Sequence, residues 1–258
     1  MSGRLRALAL EVAGPLAIIA VWWVASANST SLYFPPLETI LGRFRDVWLG
    51  TGFTDHALPS LSRMLTGYLI AVVVGVGLGV MVGLSPWARR LIGPSVEFLR
   101  ALPAVVLVPF ALVVFGAGDG MQIFVVALGC SFPILLNTVA GVRGTEPVMI
   151  DVARTFQFTR SETVRRVVLP AAAPSIFAGL RASLALALIL MVVGEMVGST
   201  DGIGYSILQS QRLFAISDMW AGLIMLGSLG YLINLLLLGT EQVALRWHRG
   251  LKARTRDA

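Results

Sequence analysis

Long apolar segments alternate with short polar ones along the chain. The apolar segments cover residues 12–27, 65–84, 101–116, 121–140, 176–197 and 219–240. An α-helix needs about 20 apolar residues to cross the hydrocarbon core of a bilayer, and most of these segments approach that length. The pattern therefore predicts an all-α polytopic membrane protein with six transmembrane helices.

The first apolar segment has two interpretations. Ala25-Ser26-Ala27 is similar to a signal-peptidase site, so a cleaved signal peptide is one of them. The rest of the chain is itself rich in apolar spans. We therefore favour a membrane-spanning first helix whose N-terminus is cytoplasmic.

The polar interval at residues 28–59 contains a helix signal. Pro36 is well placed to start a helix, and apolar residues then recur at helical spacing as far as Leu49. This predicts an amphipathic helix at residues 37–49 on the outer membrane surface. We group residues 1–56 as an N-terminal unit that precedes the main membrane domain.

Span two carries small residues at every fourth position. They are Gly67, Ala71, Gly75, Gly79 and Gly83. Glycine is common in membrane helices, but five small residues at one spacing favour close packing against another helix.

Composition supports a membrane protein, and the distribution of charge predicts its orientation. Hydrophobic residues make up 56% of the chain and charged residues 13%, against about a quarter in soluble domains. The net charge of +6 fits basic residues that flank spans on the cytoplasmic side better than it fits nucleic-acid binding. With a cytoplasmic N-terminus and six spans, sixteen of the twenty Lys and Arg residues lie on the cytoplasmic side. Both termini, including the basic tail 242–258, are therefore expected in the cytoplasm.

A polar segment at residues 141–174 separates spans four and five. Its pattern predicts two short helices, the first capped by Thr145 and the second by Thr159. Glu162 follows Thr159 by three residues, which makes a capping box, and Pro170 is expected to end the second helix after Leu169. The segment carries five arginines: Arg143, Arg154, Arg160, Arg165 and Arg166. They form either a solvated face near anionic lipid or part of a surface that docks on a partner.

The same segment resembles the EAA loop of ABC importer permeases. Asp151-Val152-Ala153 stands where that motif has Glu-Ala-Ala, and Val167-Val168-Leu169-Pro170 matches its closing Ile-x-Leu-Pro at the same spacing. Gln157 replaces the glycine of the motif at a tight backbone turn and leaves the angle between the two helices open. In the family, this loop is the coupling helix that docks on a separate ATPase subunit. The resemblance assigns that role to Asp151, Val152, Ala153, Arg154, Phe156, Gln157, Arg160, Glu162, Arg165, Leu169 and Pro170.

Two further segments resemble one branch of these permeases. Residues 97–103, Glu-Phe-Leu-Arg-Ala-Leu-Pro, and 132–138, Phe-Pro-Ile-Leu-Leu-Asn-Thr, are similar to the branch for nitrate, aliphatic sulfonates, taurine and some pyrimidines. The resemblance covers residues 57–241. It implies a type I importer permease of the cell membrane that moves a small anion or small polar organic solute by alternating access. It also implies an ATP-binding subunit that holds ATP and Mg²⁺, an extracytoplasmic substrate-binding protein, a second permease copy and surrounding lipid.

Charged residues near membrane depth are the remaining site candidates, because burying a charge in a bilayer is costly. Glu195, near the outer end of span five, either lines the pathway or its outer gate, or hydrogen-bonds backbone opened by neighbouring glycines. Glu97 and Arg100 lie three residues apart, so they either pair on one helix face or take part in gating. Pro103, at the head of span three, is expected to bend or break that helix.

The sequence contains no motif that indicates a catalytic site. The only lysine, Lys252, does not follow a phosphate-binding glycine loop, so a partner hydrolyses any ATP that drives transport. His56 and His248 lie near opposite ends of the chain, neither a nucleophile elbow nor a zinc motif is present, and we expect no cofactor on this chain. The central segment, at about thirty residues, is too short for a supported DNA-binding helix-turn-helix.

An ion-coupled secondary transporter or another non-ATP channel is the alternative function. Such transporters usually show inverted repeats and charged relays at mid-membrane. The sequence shows no clear repeat, and spans two, four and six have no carboxylate at their centres.

Overall fold

The computed structural model describes residues 2–246, which form helices joined by short turns. No β-strand occurs within that range, and this confirms the predicted all-α class. The tail beyond Arg246 lies outside the described residues. The helices are α1 (Ser2–Ser26), α2 (Leu37–Trp48), α3 (Phe53–Leu84), α4 (Pro86–Arg100), α5 (Ala104–Phe115), α6 (Asp119–Arg143), α7 (Pro147–Thr155), α8 (Arg160–Gly198), α9 (Ile203–Arg212) and α10 (Ile216–Ala244).

Four of these helices, α3, α6, α8 and α10, are long and apolar enough to cross a membrane. Helices α4 and α5 together make a fifth candidate, with an angle of 82° between them. The apolar part of α1 that the structure describes, Leu16–Ser26, is shorter than a full span. The structure thus accounts for up to five spans, and the count of six stays a prediction.

Helices α3, α6 and α8 pack side by side and form the main apolar core. Their contact is tight because the small residues of α3 face α6. A Cβ atom on Gly79 would lie 2.5 Å from the Cβ of Thr138, and one on Gly75 would lie 2.8 Å from the Cβ of Ile134. Real Cβ atoms do not approach this closely, so these positions admit only glycine without a shift of α6.

Replacing Gly79 by alanine is expected to destabilise the bundle by about 1–3 kcal/mol, the usual cost of overpacking a filled interior. The matched control is Gly77→Ala, because Gly77 lies on the same helix and a Cβ there meets nothing within 4 Å. Thermal unfolding in detergent should show a lower midpoint for Gly79→Ala only. Equal midpoints for the two variants would contradict tight packing at Gly79.

The amphipathic helix is present within one residue of its predicted bounds. Ile40 and Trp48 on its apolar face are buried against protein. Trp48 packs with Ile203 of α9 and Ala221 of α10. Arg43 on its polar side forms an ion pair with Asp218 at the start of α10. Helix α2 is therefore fixed to the helices around it.

The prediction that Pro170 ends a helix is wrong. Helix α8 continues without a break from Arg160 to Gly198, through both Pro170 and Pro174. A wider π-helical turn at Val164–Val168 precedes Pro170, and Leu169 donates its N–H to the carbonyl of Val164, five residues back. The widened turn accommodates the proline ring, which would clash with a carbonyl in a regular α-helix.

The predicted break at Pro103 is present. Residues 101–103 form an elbow between α4 and α5, with Pro103 in an extended conformation before a 3₁₀ turn at Ala104–Val106. Pro103 thus marks a sharp bend between two helices instead of a kink in one continuous span.

Candidate functional site

The segment at residues 141–174 presents an exposed apolar face. Helix α7 carries Val148, Val152 and Phe156 at its surface, with 69%, 50% and 70% of each residue exposed. The three recur at a spacing of four residues, so they lie on one side of the helix. A soluble surface rarely exposes so many large apolar side chains in one row without a partner. This row suits the docking of a second protein.

The C-terminal end of α7 closes in a tight backbone turn. Ala153 is buried, and its carbonyl accepts the N–H of Phe158 at 3.0 Å. Gln157 donates its N–H to the carbonyl of Arg154 at 2.9 Å, with φ at +56°. Together these two bonds make a Schellman motif, which normally has glycine at the left-handed position. The tight turn of the motif is therefore retained although glutamine replaces glycine.

The left-handed conformation of Gln157 has a measurable cost. A non-glycine residue in this region loses about 1–2 kcal/mol, which glycine avoids. We expect Gln157→Gly to slow local opening of the turn about fivefold, seen as greater amide hydrogen-exchange protection of Phe158. The control Gln157→Ala keeps the strain and should show no gain. A gain in both variants would trace the effect to the glutamine side chain.

The start of α8 is capped as predicted, whereas the start of α7 is not. The hydroxyl of Thr159 accepts the N–H of Glu162, and the carboxylate of Glu162 accepts the N–H of Thr159 at 3.0 Å. The hydrogen bonds that the backbone N–H and the hydroxyl of Thr159 donate to the carboxylate lower the pKa of Glu162. In contrast, Glu146 and not Thr145 stands at the N-cap position of α7, and Thr145 is buried with its hydroxyl unpaired in the described structure. Pro147 occupies the first turn, where its missing N–H has no cost.

The charged residues of the segment lie at its surface. Arg154 pairs with Asp151 at 3.1 Å, and Arg166 lies over the ring of Phe158, 5.6 Å from its centroid. Arg160 and Arg165 are also exposed. Leu169 and Pro170 are partly buried at the base of the segment. The structure therefore brings the predicted docking residues together on one protruding segment, with charges around an apolar centre.

At the other end of α8, Glu195 is fully buried and hydrogen-bonded. Its carboxylate accepts the hydroxyl of Ser60 at 2.5 Å and the backbone N–H of Gly204 at 2.8 Å. Gly202, with φ at +109°, packs so closely on the carboxylate that any side chain there would collide with it. This geometry supports a structural role, although the backbone that Glu195 binds is that of Gly204 at the start of α9 and not backbone opened by neighbouring glycines of its own helix. Glu195 holds the start of α9 against α3.

Arg63 extends this polar cluster. Its Nε lies 2.6 Å from Oδ1 of Asp119. Its Nη1 lies 2.6 Å from Oδ1 of Asp201 and 3.9 Å from Oε1 of Glu195. His56 accepts the N–H of Gly202 at 3.2 Å. The sequence did not indicate this cluster, because its members come from four separate segments. The available signals were Glu195 within predicted span five and Arg63 two residues before predicted span two.

Glu97 and Arg100, just before the elbow, form the ion pair expected from their spacing. Nε and Nη2 of Arg100 lie 2.7 Å and 2.6 Å from Oε2 of Glu97. Both side chains are about half exposed. Pro103 follows at the bend, and a cavity opens beside it. The structure thus keeps the three elbow candidates close together and separates them from Glu195.

Comparison with known proteins identifies the family. Residues 71–242, more than half of the chain, match the family described as binding-protein-dependent transport system inner membrane component. The chain belongs to this family of ABC importer permeases. It is a transport subunit of the inner membrane, and the family implies an ATPase partner and a second permease subunit in the assembly.

Named relatives agree over nearly the full length of this permease. It is 31% identical over 235 residues to the aliphatic sulfonates transport permease protein SsuC of Bacillus subtilis, covering 90% of this chain and 85% of that protein. It is 32% identical over 242 residues to the bicarbonate transport permease CmpB of Synechococcus elongatus, covering 90% and 87%. The taurine transport permease TauC of Escherichia coli is 28% identical over 250 residues, covering 94% and 91%.

Solved structures support the fold. A chain of the MetNI methionine ABC transporter in an inward-facing conformation superposes with a TM-score of 0.65 at 20% identity, covering 73% of this permease and 94% of that chain. A chain of an amino acid ABC transporter gives 0.58 at 16% identity, covering 77% and 94%. At these identities the likeness concerns the fold alone.

Proposed function

We propose that this permease forms half of the translocation pathway of an importer for a small anion or small polar organic solute. The solute class rests on the relatives, which are named for aliphatic sulfonates, taurine and bicarbonate. Residues 57–241 form the permease domain, residues 1–56 a peripheral unit, and residues 242–258 a cytoplasmic tail. Both termini lie in the cytoplasm, as sixteen of twenty basic residues favour.

The observation that carries the proposal is the exposed apolar row Val148, Val152 and Phe156 on a capped two-helix segment. Apolar contacts of this kind transmit force to a partner better than exposed ion pairs, which contribute about 1 kcal/mol or less. Helix α8 joins this segment rigidly to the membrane, since it continues unbroken into the core. A movement of the segment therefore moves α8.

Alternating access follows from this connection. ATP closes the two ATPase subunits, their grooves bring the two 141–174 segments together, and the helix bundles rock to open outward. An extracytoplasmic binding protein then releases solute into the pathway between two permease copies. Hydrolysis of ATP, held with Mg²⁺ by the ATPase, restores the inward-open state.

Affinity purification of the full-length permease from its native membrane tests the proposal. We expect an ATP-binding subunit and a binding protein to co-purify, and reconstituted vesicles to take up solute only with ATP. A proton or sodium gradient that drives uptake without ATP would instead support an ion-coupled secondary transporter.

A further inference from the structure

A cavity of about 420 Å³ lies beside the elbow between α4 and α5. Its walls come from the elbow, from the middle of α6 and from Leu186 of α8. This volume falls within the range of about 300–1,000 Å³ that is typical of small-molecule sites. The cavity lies among helices of the membrane-spanning bundle and away from the polar cluster around Glu195.

The cavity has mainly apolar walls and a single charged residue, Arg100. The apolar contribution comes largely from Leu102, Phe132, Leu136 and Leu186. The residues that line the cavity include no carboxylate. A solute with an anionic head and a short hydrocarbon body would satisfy both kinds of wall. An inorganic anion would leave the apolar walls unused. An ammonium group against those walls would be desolvated without a partner, because the nearby carboxylate of Glu97 is paired with Arg100.

Glu97 orients the guanidinium of Arg100 without using all of its donors. Nε and Nη2 both approach the same carboxylate oxygen, whereas a guanidinium has five N–H donors, two of them on Nη1. The pair is about half exposed, so solvent screens the attraction between the two side chains. Glu97 is thus a positioning residue for Arg100.

The elbow itself brings the charge to the cavity. Pro103 cannot continue α4, and the chain turns by 82° before α5 begins. Because of this turn, residues 99–104 lie along one wall of the cavity, with Arg100 at the end of α4 and Ala104 at the start of the next turn. A straight helix would place Arg100 and Ala104 on one face of a rod and would not enclose a space.

We propose that this cavity binds the transported solute as an organic anion with a short hydrocarbon body, such as an alkanesulfonate. Arg100 binds the head group, and Phe132, Leu136 and Leu186 surround the hydrocarbon. The inference rests on the proposed function and narrows its solute class. Among the solutes named for the relatives, it favours aliphatic sulfonates over bicarbonate and over taurine, a zwitterion that carries an ammonium group.

Equilibrium binding of labelled butanesulfonate to the purified permease–ATPase complex in lipid nanodiscs tests the inference. We expect Arg100→Gln to raise the Kd about tenfold or more, because a charged hydrogen-bond donor is lost. Arg100→Lys should recover part of the affinity. Leu136→Trp, which fills the cavity, should weaken binding while Arg100 stays in place. The control Arg45→Gln removes an exposed paired arginine of α2 and should leave the Kd unchanged.

Competition identifies the ligand class. Unlabelled butanesulfonate should displace the label well, and nitrate, bicarbonate and taurine poorly. A lipid carboxylate shares the same chemistry, so displacement by oleate in preference to butanesulfonate would assign the cavity to lipid and overturn the inference. Unchanged affinity in Arg100→Gln, or nitrate that competes as well as butanesulfonate, would also overturn it.

Vesicle transport separates this inference from the proposed function. The proposed function would be contradicted if vesicles that contain the wild-type permease and its ATPase, supplied with ATP and the binding protein, transported no anion. Vesicles whose butanesulfonate uptake survives both Arg100→Gln and Leu136→Trp would refute the cavity as the solute site while leaving the importer intact.

Discussion

Phe156→Ala is expected to reduce solute uptake to background while the permease still inserts and folds. The ring of Phe156 is 70% exposed and has Phe158 as an aromatic neighbour at 6.4 Å, so the chain itself loses little when it is removed. Large aromatic residues at the centre of an interface often contribute 2 kcal/mol or more to binding (about thirtyfold or more in affinity). The measurements are ATP-dependent uptake and ATP hydrolysis in reconstituted vesicles.

The control for this variant lies at the opposite end of α8. Phe214 is 63% exposed and follows α9, with a left-handed backbone conformation. Phe214→Ala should retain the ATPase subunit through purification at wild-type yield, whereas Phe156→Ala should lose part of it or hydrolyse ATP without transport. Normal uptake by Phe156→Ala would count against the docking role of α7.

Glu195→Ala is expected to destabilise the permease by about 1–3 kcal/mol. The change leaves the N–H of Gly204 buried without an acceptor, whereas the hydroxyl of Ser60 keeps the carbonyl of His56 at 3.0 Å. Loss of the carboxylate also removes a partner of Arg63. The midpoint of thermal unfolding in detergent measures the effect.

A matched exposed acid shows what is specific to Glu195. Glu38 lies on the exposed side of α2, and Glu38→Ala should change stability by about 0.5 kcal/mol or less. If Glu195→Ala instead keeps its unfolding midpoint but loses uptake, the carboxylate acts in the pathway and the structural interpretation is wrong.

Local patterns predicted much of this fold. The apolar segments gave the positions of α3, α6, α8 and α10, and the spacing of Thr159 and Glu162 gave a capping box that the structure contains. The small residues of α3 indicated a close helix contact, although the sequence did not say that α6 was the partner. These successes share one cause: each signal lies within a few residues of the structure it specifies.

The failures involve backbone geometry that side-chain patterns do not report. Pro170 reads as a helix end, yet a π-helical turn just before it lets α8 continue. Gln157 replaces a glycine, yet two backbone hydrogen bonds hold it in the left-handed region. A single turn of widened helix or one strained residue leaves little trace in composition or periodicity.

The polar cluster shows a second limit. Ser60 and Arg63 meet Glu195 and Gly204 only because α3 and α8 both pack against α6 and approach each other beside its start. The sequence marked Glu195 as a costly charge within an apolar span and left its partners unknown. Long-range partners of this kind follow from helix packing, which a single sequence does not specify.

We infer that residues 141–174 face the cytoplasm and bind the ATPase. The only cysteine, Cys130, is buried, so Cys130→Ala combined with Val152→Cys gives one exposed thiol on α7. A membrane-impermeant maleimide should label this thiol in inside-out vesicles and not in right-side-out ones, and a thiol cross-linker should join it to the ATPase subunit of the assembled complex. Labelling in right-side-out vesicles, or an assembled complex in which the thiol reaches no second polypeptide, would contradict the claim.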